Sequence, residues 1–313
     1  SDDRLPVLIA GGSRSDWRSR LALGLLDRRT LNNGWRSTLD ATLYLNKEQG
    51  VPLTLDEDLR LDLKEVYLSK TSGEANYIDF GRINLRKGVG QGYNPTDYFK
   101  VRAVRDNSSL DARERRDNRL GTLMIRGETL WDGGGLSLAV APDIGDSDQG
   151  LLGNREAYGL ALNQTNDRWR SLLQWNQRWF KGFQPELSLY QDDTSTHLGI
   201  SMSQGVGQRW LFYGEWSGAR EQSLLQQALG EVDTLSPELS SWKSSAKQFY
   251  QQFTLGLSYT GEHNVTSYLE YHHNGRGMDT DDWQRWFNVG ETTTDPRTLG
   301  QLWGIRSFGL QQE

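Results

Sequence analysis

The stretch LEYHHNGRG, Leu269 to Gly277, carries two of the four histidines in the chain. An imidazole can serve as a general base or as a metal ligand. As metal ligands the pair is poorly placed, because adjacent residues on a strand point to opposite faces. The plainer expectation is a polar strand end in which His272 pairs with Glu270. The acidic run DIGDSDQG, Asp143 to Gly150, alternates carboxylates as calcium loops do, yet it lacks the hand-type spacing and the closing bidentate Glu. It reads as a solvated loop, and no metal or cofactor is expected. Within GRINLRKGVGQGYNPTDYFK, Gly81 to Lys100, the bend Gly88–Gly92 has the glycine content of a phosphate cradle. Such a cradle must follow a buried parallel strand and open a helix, and these flanks show no helical period.

These residues need a scaffold, and composition restricts it. The chain has 313 residues, of which 35% are hydrophobic and 11% aromatic, with 12 Trp and 12 Tyr. Its mean hydropathy is -0.70. Disordered chains share the low hydrophobicity but are poor in aromatics. A large soluble core would need more apolar residues than this. The mixture fits apolar residues spread over every second position, with aromatics at a boundary. There is no cysteine, and the formal charge of -6 disfavours general nucleic-acid binding. No run of about 18 apolar residues marks a membrane helix, a test to which strands are blind. Ser1-Asp2-Asp3 reads as the start of a processed or trimmed chain.

Period decides the elements. Trp35 to Leu45 alternates a greasy row with Arg36, Thr38, Asp40, Thr42 and Tyr44. Phe249 to Tyr259 repeats the pattern, with only Gln251 breaking the greasy row. Comparable segments of about 9 to 13 residues, long enough to cross a bilayer at a tilt, recur along the chain. They fall near 17–27, 34–46, 60–71, 76–87, 119–131, 135–142, 155–164, 168–179, 185–191, 195–203, 208–217, 247–260, 264–273 and 299–309. Turn sequences such as LNNG, TSGE, WDGGG and GEHN separate them. The expected fold is all-β: one antiparallel transmembrane β-barrel domain over 1–313, with roughly 14 strands (about 12–16). Long loops are expected near 88–118, 218–246 and 276–298, with a short amphipathic helix in the second. Up-down counting of 14 strands does not bring all the long loops to one side.

In Gly81 to Lys100, alternation puts Ile83 and Leu85 toward lipid and Arg82, Asn84 and Arg86 on the other face, and Asn94-Pro95 ends the ladder at the barrel rim. The sequence Gly81-Arg82, Asn84, then Gly92-Tyr93-Asn94-Pro95-Thr96-Asp97-Tyr98-Phe99 resembles a motif of Gram-negative outer-membrane barrels that are distantly similar to porins and to alginate or polysaccharide exporters. Leu269 to Gly277 is similar to a Glu-Tyr-x-x-Asn-Gly strand end of such barrels. The resemblance implies integral location in the bacterial outer membrane, with lipids and lipopolysaccharide as surroundings. The end SFGLQQE lacks the terminal aromatic usual in these barrels. YHHNGRG is also similar to the motif of outer-membrane phospholipase A, in which a Ser two residues after a His is the nucleophile. Here Asn274 and Gly275 stand at those positions.

Opposition to the greasy rows gives the expected pore-lining set: Arg36, Asp40, Arg82, Asn84, Arg86, Arg126, Glu128, Arg170, Arg178 and Glu215, with Tyr44, Tyr213, Tyr250 and Gln252. The arginines point to an anionic or saccharide solute, unless they pair with Asp40, Glu128 and Glu215 in a filled lumen. The leading expectation is a passive channel or exporter without covalent chemistry, constricted or gated by the loop after Phe99. Alternatives are a non-conducting barrel that anchors a periplasmic or surface protein and, third, a lipid hydrolase.

Overall fold

The structure, a computed structural model, describes residues 17–49, 59–104, 118–145 and 158–312. One 12-stranded sheet runs in sequence order, each strand antiparallel to the next. The strands are β1 (Trp17–Thr30), β2 (Trp35–Gln49), β3 (Leu59–Ser72), β4 (Asn76–Ile83), β5 (Thr122–Trp131), β6 (Gly134–Ala141), β7 (Arg170–Gln177), β8 (Glu186–Asp192), β9 (Thr196–Val206), β10 (Trp210–Glu221), β11 (Gln248–Thr260) and β12 (Thr266–Asn274). Among the described residues β1 and β12 are the two edges.

Two of the expected strands are absent. Of 155–164, the described part is irregular up to a single helical turn, α1 (Leu162–Thr165). The segment 299–309 is helical, because Leu302, Ile305 and Phe308 recur every third residue and form one face. Removing them resolves the counting problem. The connections 31–34, 73–75, 132–133, 178–185, 207–209 and 261–265 fall at one end of the sheet, and every long connection falls at the other.

At the long-loop end, α2 (Leu224–Gly230), α3 (Pro237–Ser240), α4 (Thr280–Thr292) and α5 (Pro296–Gln312) form a helical cluster. Leu225, Leu229 and Leu239 pack there against Leu302 and Ile305. The cluster is tied to the sheet by Arg276, whose carbonyl accepts from Leu224 N–H at 3.0 Å and whose guanidinium meets Glu221 at 3.1 Å.

The sheet is inside-out relative to a soluble domain. Leu25, Phe80, Leu198 and Leu255 are each more than half exposed, at 56%, 57%, 57% and 57%. The opposite face buries Thr42, Asn46, Arg60, Asp62, Gln174, Ser201, Glu215 and Thr254. A continuous apolar face of this kind is stable against lipid, not against water. In β3 the polar row changes parity at a bulge where Lys64 is the unpaired residue, so Arg60, Asp62 and Lys64 and then Glu65 and Tyr67 share the inner face. No helix among the described residues is long and apolar enough to cross a membrane, which says nothing of strands.

Candidate functional site: a loop latched to the inner wall

The segment 84–104 does not turn at the rim. It leaves β4 and runs along the polar face of the sheet as far as β12, without regular secondary structure. Eight strand spacings separate β4 from β12, about 38 Å on a flat sheet. From Ile83 to Gln91 the chain reaches at most about 28 Å. The bond from Gln91 to β12 therefore requires the sheet to curl around the segment. The polar face is the concave one.

The glycine-rich bend is an anion cradle, and its anions are two carboxylates of the wall. Val89 N–H and Gly90 N–H both donate to Glu215 Oε1, the second at 2.6 Å. Gln91 N–H and Gly92 N–H donate to the two oxygens of Glu270, at 2.5 and 2.8 Å. Successive N–H groups aimed at one side form the kind of concavity that binds anions. Glu215 also accepts from Asn94 Nδ2 at 3.1 Å, Thr96 N–H at 3.2 Å and Thr96 Oγ1 at 2.7 Å. Gly88 has φ +89°, and a Cβ there would sit 2.7 Å from both Glu215 oxygens. Tyr213 completes the latch from β10: its ring crosses β11 above Gly256, where any Cβ would collide with it, and its OH donates to Glu270 at 2.7 Å.

Beyond the cradle the segment is packed. Tyr93 OH donates to Gln252 at 2.6 Å, and Tyr93 O accepts from Thr254 Oγ1 at 2.7 Å. Asp97 and Arg119 form a buried pair at 2.8 Å. The Tyr98 ring stacks on Tyr190 at 4.7 Å, and its OH meets Ser217 at 3.1 Å. Phe99 lies edge-on to Tyr190 and beneath the Arg170 guanidinium, 5.2 Å from the ring centre. Ile83, Leu85, Tyr98, Phe99, Met124 and Leu172 form one interior cluster.

Several of the sequence-based placements change. Ile83 and Leu85 point into the interior, and Arg82 lies on the other side of β4, because that part of β4 is covered on both faces. There Arg82 Nε donates to Gly121 O at 2.8 Å and Nη1 to Leu160 O at 2.5 Å. Asn84 accepts from Arg119 at 3.4 Å and donates its N–H to Glu65 at 3.0 Å. Arg86 is exposed. Gly92 through Asp97 belong to the latched segment rather than to a rim turn. Arg126 and Glu128 share the inner face and pair with each other at 2.8 Å, Arg126 also with Asp79 at 3.3 Å. Arg170 is sealed over the Phe99 ring and 3% exposed. Arg178 follows β7 and pairs with Asp132 at the short-turn end. Arg36 is exposed near the 31–34 turn, and Asp40 stands at the register shift of the β2–β3 ladder. These arginines do not form one continuous row. Glu270 and Tyr213 hold the loop together with Glu215. The parity of β12, which puts Glu270 on the face of His272, is the signal that pointed to the first.

His272 and His197 are each held by neighbouring side chains. Thr254 gives its proton to Tyr93 O, so at 3.2 Å it accepts from His272 Nδ1, leaving no hydroxyl proton for that imidazole to remove. His272 Nε2 lies 3.4 Å from Glu270, the expected pairing. Ser195 Oγ approaches His197 Nε2 at 2.8 Å, but Glu221 approaches the same nitrogen at 4.0 Å. A catalytic triad needs the acid on the other ring nitrogen. The acidic run Asp143 to Gly150 is described only to Gly145, where Asp143 accepts from Gly145 N–H at 2.8 Å. No group of three or more metal-ligating side chains occurs among the described residues. Most of 105–118 also lies outside them.

A curled antiparallel sheet, apolar outside and charged inside, defines the class: the wall of an outer-membrane β-barrel. Solved structures to which the chain is similar include OpdQ of Pseudomonas aeruginosa, at 9% identity and a TM-score of 0.43, covering 82% of this chain and 60% of that one. OccAB4 of Acinetobacter baumannii gives 10% identity and a TM-score of 0.43, with coverage of 82% and 60%. OmpF of Salmonella typhi, in a complex with daunomycin, gives 8% and 0.41, with 85% of each chain covered. The chain thus spans about 60% of the length of the first two. No family model matches the sequence, and no curated protein matches it.

Proposed function

We propose that the protein is an outer-membrane channel for small polar solutes, narrowed by the segment 84–104. The observation that supports this is the latch: four consecutive backbone N–H groups, Val89 to Gly92, held by Glu215 and Glu270 of the concave wall. The segment is a fixed constriction rather than a mobile gate, since its far end is also anchored, through Asp97 and the Tyr98 ring. The solute is polar and not specifically anionic, because Arg126 is neutralised by Glu128 and Asp79, while Arg82 and Arg170 are buried, each 3% exposed, and do not face a solute. Ion selectivity from charge would require unneutralised rings.

Single-channel recording of the refolded protein, under anion and cation gradients, tests this reading. Steady current with weak selectivity supports it. The packing of Leu85, Tyr98 and Phe99 inside the sheet favours a second reading, a sealed barrel that anchors a protein partner. A folded, heat-modifiable band without current would select that second reading. Covalent chemistry is not part of the proposal.

A further inference from the structure

The apolar cover of the lipid-facing wall has a gap on β10. On β10 the outward row reads Phe212, Gly214, Trp216, and Gly214 lies between Met202 of β9 and Leu255 of β11. The missing side chain leaves a groove of about 630 Å³, walled by Ile200, Met202, Phe212, Trp216, Phe253 and Leu255. From Phe212 to Trp216 it runs about 13 Å along the strand. At the short-turn end it meets Phe183 and Gln204, which are bridged to each other. Phe183 belongs to the turn Trp179-Phe180-Lys181-Gly182-Phe183. There Phe180 stacks on Phe183 at 4.8 Å, and Trp179 and Phe180 are 63% and 58% exposed. Lys181 is exposed at the same place and makes no ion pair among the described residues.

We propose that this groove is a phospholipid site. One acyl chain lies along Gly214, and the phosphate sits at Lys181, with the Trp179–Phe183 rings at the headgroup level. The apolar walls fit a chain, and Lys181 stands at the end where a headgroup lies. Exposed aromatic rings beside a cation are the composition of a membrane interface. Short turns mark the periplasmic end of such barrels, so the occupant is an anionic glycerophospholipid of the periplasmic leaflet. The proposal rests on the outer-membrane reading above.

Native mass spectrometry from mild detergent, with phosphatidylglycerol added, tests it on the wild-type protein, Gly214→Leu and Lys181→Glu. Gly214 has an ordinary backbone conformation, and a Cβ there meets nothing nearer than the flexible end of Leu255 at 3.3 Å, so a small shift of Leu255 lets the first variant fill the groove, with the heat-modifiable band reporting its folding. The expected result is one retained lipid on the wild type and about tenfold weaker retention on each variant, the loss of a few buried methylenes or of one charge contact. Equal retention on all three overturns the site. So does a wild-type oligomer that Gly214→Leu dissociates, which would make the groove an interface between copies. Heat-modifiable mobility in the same samples reports barrel insertion separately: its loss would count against the outer-membrane reading, not the groove.

Discussion

At the scale of single residues, the account depends on Glu215 more than on any other side chain. It is 2% exposed and accepts from both backbone and side-chain donors of the segment. Glu215→Gln puts an amide among N–H groups that need an acceptor. Hydrogen bonds to a charged group contribute about 1.5–3 kcal/mol, and a buried donor left unmade costs more than the mean bond. The expected loss is about 2–4 kcal/mol, read as an earlier urea midpoint of the heat-modifiable band, and an unchanged midpoint would remove Glu215 from the latch. Gly90→Ala acts on the same contact from the other side, because its Cβ would lie 2.5 Å from Tyr93 O and 3.1 Å from Asn94 Nδ2. Its midpoint should fall in the same direction. Tyr98→Phe removes only the bonds to Ser217 and Ser188 and keeps the stacked ring, so a loss of about 1 kcal/mol is expected.

At the scale of elements, the helical cluster is a separate packing unit and should respond separately. Leu229 and Leu239 are fully buried in it. Leu229→Ala should cost about 2–5 kcal/mol of local stability, seen as faster hydrogen exchange in α2 and α5 while single-channel current stays unchanged. The start of α5 carries a pH dependence. Hydrogen bonds from the Thr298 hydroxyl and from the N–H groups of Arg297 and Thr298 hold the Asp295 carboxyl below the ordinary aspartate range. A depressed acid stabilises the fold above its unfolded value, about 4, and loses that contribution as pH falls through the folded value. The protection of the Thr298 amide, its exchange rate taken relative to the intrinsic rate at the same pH, should therefore be high at neutral pH and fall on acidification below about pH 4. The strands were legible because the two-residue period recurs over long segments, as in β2 and β11. The segment 299–309 was not, since a short apolar run with glycines was read at the strand period, and the packing of Leu302 and Ile305 on Leu225 and Leu229 decides for the helix. On β4, alternation was readable but the face was not: parity separates Arg82 from Ile83 without saying which side is covered.

At the scale of the whole molecule, a sheet that curls around its own loop turns a sequence feature into an architectural one. Glycines spaced as in a phosphate cradle do bind anions, but those anions are side chains distant by more than 100 positions in the sequence, which no local motif could reveal. The recording that bears most directly on this is single-channel current of the wild type against the Glu215→Gln, Glu270→Gln double variant in a planar bilayer. The account predicts steady current for the wild type and a larger, noisier current for the variant, as the released segment leaves the lumen. Identical currents, or a folded protein that conducts in neither form, would contradict it.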